Sequence, residues 1–94
     1  MIKHIVCFKL KNPEDAAEVK RILLSMEGKV PQIRSIEVGI DMLHSERSYD
    51  VILQVVVDNM TELEEYQKDT YHCSTVKPFM HAARETSVAV DYEI

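Results

Sequence analysis

The chain is 94 residues long, 46 percent hydrophobic and 29 percent charged, a balance that specifies one globular domain over residues 1–94 and excludes a disordered or fibrous chain. Its formal net charge is −5, with the eleven Lys and Arg scattered and no basic stripe, so nucleic acid is not an expected partner. No apolar run approaches the roughly 18 residues of a membrane span, and the chain starts directly in a strand-like run, so no membrane partner and a cytoplasmic location are expected.

Ile2 to Leu10 is β-branched and aromatic and reads as a first strand. His4, Val6, Phe8 and Leu10 fall on one face, and Lys3, Ile5, Cys7 and Lys9 on the other. Asn12-Pro13-Glu14-Asp15 supplies a cap, a proline at the first helical position and two carboxylates in the positive first turn. The helix it opens carries Ala16, Val19, Leu23, Met26 and Val30 at helical spacing, with Gly28 available as a stop. Ser35 to Leu43 reads as a second strand, in which Ile36, Val38, Ile40 and Met42 alternate with polar or small residues.

The polar link His44 to Ser48 has the composition of a hairpin connection into a third strand, Tyr49 to Val57. There alternation nearly disappears: Val51, Leu53, Val55 and Val57 face one way, Ile52 and Val56 the other. Asn59-Met60-Thr61-Glu62 matches a capping box and predicts a second helix whose inner face holds Leu63, Tyr66 and Thr70. A short third helix, from about Ser74 to Arg84, carries Val76, Phe79, Met80 and Ala83 on one stripe. Thr86 to Ile94 closes the chain as a fourth strand, with Val88, Val90 and Tyr92 opposed to Ser87, Ala89 and Asp91.

The resulting class is α+β, a ferredoxin-like β-α-β-β-α-β order with an antiparallel sheet whose strands one and three lie in the middle. Those are the strands with least alternation. A central strand apolar on both faces needs cover on both, and two helices cover one side only. A second copy of the sheet is the simplest cover for the other side, so a homodimer is expected.

Met1-Ile2-Lys3-His4-Ile5-Val6 with Phe8-Lys9-Leu10, the segment from Tyr66 to His72, and Val88-Ala89-Val90-Asp91-Tyr92 together resemble the stress-responsive dimeric α/β-barrel (Dabb) domain family. The likeness runs essentially end to end. Its opening strand is the most telling piece, and the stretch from Gly28 to Ser48 is generic. The resemblance implies a dimer whose two sheets form a barrel with the helices outside. It implies no single function, because the fold hosts binding modules, stress proteins and a few enzymes that work without cofactor.

The chemistry-bearing residues are His4, Tyr66 and His72. His4 shares its face with Val6 and Phe8 and is expected under the helices, where a buried imidazole needs a partner. Tyr66 sends its hydroxyl toward the same layer. His72 comes six residues later, off-face for a straight helix, and reaches the site only if the helix ends or bends near Asp69-Thr70. In the plant polyketide cyclases that resemble the family, a tyrosine on this helix and a histidine six residues on carry acid/base catalysis, and an early strand histidine lines the cavity.

Tyr66, His72 and His4 match those positions. The sequence departs at Val51, a pocket position where those enzymes have histidine, and at Asp69-Thr70, where they have His-Pro. Two readings therefore stand. One is a pocket for a small apolar carbonyl or phenolic ligand, with Tyr66 and His72 as the candidate acid/base pair and no cofactor or metal called for. The other is a non-catalytic stress or interaction module in which the same residues are packing. His72-Cys73 has no second pair at zinc-ligand spacing, the acidic run Glu62, Glu64 and Glu65 suits the start of a helix, His81 is expected on the surface, and Cys7 reads as core packing.

Overall fold

A computed structural model describes all 94 residues. The strands are β1 (Ile2–Leu10), β2 (Ser35–Ile40), β3 (Val51–Val57) and β4 (Arg84–Glu93), and the main helices α1 (Ala16–Leu24), α2 (Met60–Lys68) and α3 (Lys77–Ala83). A 3-10 turn, Pro13–Asp15, leads into α1, and a π-helical turn, His72–Val76, leads into α3. The sheet runs β2-β3-β1-β4. All its pairings are antiparallel, and β1 and β3 take the centre as their apolar runs require.

The register places His4 opposite Val55 on one side and Asp91 on the other, and Phe8 opposite Val51 and Ser87. Ala16, Val19 and Leu23 of α1, with Met26 and Val30 just beyond it, are buried against Val51, Leu53, Val55 and Val57. Each of these Val, Leu and Met side chains contributes about 1.5–3 kcal/mol by leaving water, and Ala16 less. The helix stops at Leu24, and the chain turns through Gly28, whose φ of +79° is a left-handed conformation open to glycine at no steric cost. Asn59 caps α2, its side chain accepting from the Glu62 amide at 2.9 Å, as the capping pattern predicts.

Several boundaries move. β2 ends at Ile40 instead of Leu43, because Met42 and Leu43 project into solvent, 90 and 78 percent exposed, and the Asp41 carboxylate accepts from the His44 amide to close a turn. Thr70 is exposed and lies outside α2, so only Leu63 and Tyr66 are buried on that helix. Cys7 is half-buried on the face of β1 turned away from the helices, not in the main core. The third helix begins as a wider turn in which the Lys77 amide donates to the His72 carbonyl, five residues back.

The helices cover β2, β3 and β1 and leave two surfaces open. One is most of the opposite face of the sheet, where Val88, Val90 and Tyr92 are 49, 61 and 42 percent exposed beside half-buried Ile5 and Ile52. The other is the inner face of the edge strand β4, which borders a cavity. No helix is long and apolar enough to cross a membrane.

Candidate functional site

The cavity measures about 250 Å3 and opens between the inner faces of β1 and β4 and the segment from Tyr66 to Arg84. Val6, Phe8, Leu53 and Met80 give it apolar walls, and His4, Tyr66 and His72 give it chemistry. It is slightly smaller than the roughly 300–1,000 Å3 usual for small-molecule sites, which are largely apolar concavities with a few convergent polar groups.

Tyr66 sits on the buried stripe of α2 and is fully enclosed. Its ring stacks on His72 at 4.6 Å between centroids, with 24° between planes, and meets His4 edge to face at 5.5 Å. Its hydroxyl has one hydrogen-bond partner in the protein, the Met26 Sδ at 3.8 Å. A thioether is a weak acceptor, and buried phenols ordinarily find a stronger one. Burial, with a smaller contribution from the Asp91 charge, pushes the phenol well above its ordinary range. The group therefore stays protonated and can donate.

His72 arrives beside Tyr66 because α2 ends. Asp69 has extended backbone (φ −55°, ψ 138°), and its Oδ1 accepts from the amides of Tyr71 at 2.9 Å and His72 at 3.2 Å. One residue thus stops one helix and caps the next helical segment. The turn swings the His72 ring back over α2, where Nδ1 lies 3.1 Å from the Tyr66 carbonyl. That carbonyl can only accept, so Nδ1 carries the hydrogen and Nε2 keeps a lone pair. Burial, ahead of the opposing hydrogen bond, lowers the imidazole below its usual value, so near pH 7 it is a neutral base.

His4, 6 percent exposed, finds its partner across the sheet: Nδ1 donates to the Asp91 carboxylate. The carboxylate orients the ring and satisfies its Nδ1. The structure thus brings His4, Tyr66 and His72 together. Val51 stands apart. It is buried opposite Phe8, four residues along the strand register from the level of His4, or about 13 Å. It borders instead a recess of about 340 Å3 around Asp50, Arg47 and Tyr49. The buried carboxylate there already accepts from the Leu10 amide at 2.7 Å.

Sequence reasoning placed the necessary helix end near Asp69-Thr70, where the structure has it, but missed Asp91 as the His4 partner and the capping role of the Asp69 carboxylate. Asp91 left one signal, its place with Ser87 and Ala89 on the inner face of the last strand. Asp69 left another, an Asp two and three residues before the amides it caps. His81 is exposed, as expected, at the mouth of the cavity.

Comparison with known proteins gives a consistent answer. Residues 2–94 match the family described as the stress responsive A/B barrel domain. No curated protein matches the sequence. Among solved structures, a dimeric protein of unknown function and ferredoxin-like fold from Bacteroides fragilis is 29 percent identical, with 99 percent of this chain and 95 percent of that one covered at a TM-score of 0.84. A dabb family protein with a ferredoxin-like fold from Mesorhizobium loti is 21 percent identical, over 99 and 95 percent of the two chains at 0.73. A hydroxynitrile lyase from Passiflora edulis shares the fold at 14 percent identity, over 99 and 92 percent at 0.82.

Proposed function

Because this chain belongs to the stress-responsive A/B barrel domain family, we propose that two copies pair through their uncovered sheet faces and that each holds a small, largely apolar carbonyl or phenolic compound in its cavity. The observation that carries the ligand reading is the Tyr66 hydroxyl, enclosed, protonated and with a thioether as its one hydrogen-bond partner in the protein. A ligand oxygen beside it would supply the acceptor that the protein does not. Pairing is supported by the dimeric relative from Bacteroides fragilis and by the apolar row Val88, Val90 and Tyr92. The unpaired thiols Cys7 and Cys73 fit a reducing, cytoplasmic setting.

A test uses 4-hydroxyacetophenone as probe, followed by amide and methyl NMR. Shifts should gather at Tyr66, His72 and Ala89, and Tyr66→Phe should weaken binding about threefold to tenfold, the worth of one hydrogen bond. Folded Tyr66→Phe and His72→Ala proteins that bind the probe as the parent does would refute the reading.

The orientation of His72 favours a second step at the same place. Its Nε2 lone pair can take a proton from the carbon beside a carbonyl, the C–H electron pair moving into an enolate whose oxygen accepts from the Tyr66 hydroxyl. In D2O, the methyl protons of 4-hydroxyacetophenone should then exchange faster with the protein than with His72→Gln. Equal rates would leave a binding module without this chemistry.

A further inference from the structure

The cavity differs in charge from the rest of the molecule. The chain has sixteen Asp and Glu against eleven Lys and Arg, yet no acidic side chain lines the cavity, while Lys77, Arg84 and the imidazole of His81 do. The ion pairs between Lys or Arg and carboxylates are Glu18 with Arg21 and Arg34 with Asp58, while the His4 and His44 rings lie against the Asp91 and Asp41 carboxylates. Lys77 and Arg84 belong to none of them. Lys77 Nζ donates to the Gln67 carbonyl at 3.0 Å, which anchors the ammonium and leaves two N–H groups free. Its charge reaches the interior, since after burial it helps hold His72 below its ordinary pKa. Arg84 is half-buried where α3 passes into β4, and its planar fork suits a carboxylate.

We infer that the cavity selects an amphipathic anion, with an aromatic or otherwise apolar body against Val6, Phe8 and Met80 and a carboxylate at the mouth on Arg84 and Lys77. The inference rests on the ligand reading above and narrows it to a chemical class. Other Lys and Arg side chains also lie outside ion pairs, but Lys77 and Arg84 line an apolar hollow that holds no carboxylate, whereas Arg47 shares its recess with Asp41 and Asp50. In a protein of net negative charge that local excess of cations favours a carboxylate there.

Two probes of equal shape decide the matter: 4-hydroxybenzoate, an anion, and 4-hydroxybenzamide, its neutral counterpart. In NMR titrations at about 25 mM salt the benzoate should bind fivefold or more tighter, the order expected of a charge-assisted contact. The ratio of the two Kd values should fall toward one at about 500 mM salt, where the Debye length is only a few Å, and in a protein carrying both Lys77→Gln and Arg84→Gln. Equal affinities in the unaltered protein, with shifts confined to the cavity, would overturn the anion and leave the ligand site standing. No shift with either probe would overturn both. A benzoate preference that survives salt and the double substitution would also overturn the assignment to Arg84 and Lys77.

Discussion

The imidazole of His72 makes a measurable statement about acid. Burial lowers its pKa below the ordinary 6.5, outweighing the hydrogen bond to the Tyr66 carbonyl. The folded protein thus takes up this proton less readily than the unfolded chain. The resulting penalty is absent well above pH 6.5, grows as the pH falls below that value, and stops growing below the folded pKa. Thermal unfolding followed from pH 7.5 to 5 should therefore show a steeper loss of stability in the parent than in His72→Gln. Parallel curves would mean that the ring is as easily protonated in place as in solution. At this scale the sequence was partly legible. His4 and Tyr66 declare their inner faces through strand and helix periodicity, whereas the partner of His4 is 87 residues away and is chosen by the register of β1 against β4, which no local pattern encodes.

Among the elements, the break after α2 has the largest consequence. A straight helix would carry His72 off the inner face, and a single carboxylate prevents it. Replacing Asp69 with Ala removes the cap on Tyr71 and His72 and should cost about 1 kcal/mol, the typical worth of such a cap. Hydrogen exchange reads the effect locally: the Tyr71 and His72 amides should exchange faster while those in the middle of β1 keep their protection. Unchanged exchange at both amides would show that the break is held by packing alone. The strands and the start of α2 were readable because alternation and the Asn59 cap are local signals. The π-helical turn was not, because its wider spacing follows from fitting His72 and Val76 into the core, a tertiary demand that overrides helical periodicity.

For the whole molecule, the decisive property is a sheet clothed on one side. Val90 lies opposite Ile5, with Val88 and Tyr92 on the same strand face. Val90→Lys would bring a charge into the middle of a paired surface and leave it unsolvated there. Light scattering at micromolar concentration should find two chains per particle for the parent and one for the variant. A parent that scatters as one chain, or a variant that still pairs, would rule out this face as the contact. The need for cover was legible in the two-sided apolar character of β3, since Ile52 and Val56 lie on the face that the helices leave bare.

β4 is a ribbon with two audiences. Ser87 and Ala89 border the cavity and Asp91 holds His4, while the residues between them, Val88 and Val90, look outward. A single backbone thickness separates the compartment that would receive a guest from the surface that would meet a sister chain. Any adjustment of that ribbon's pitch is shared, so a guest that tightens the embrace of the two chains must itself be gripped harder, by the same factor, once they have met.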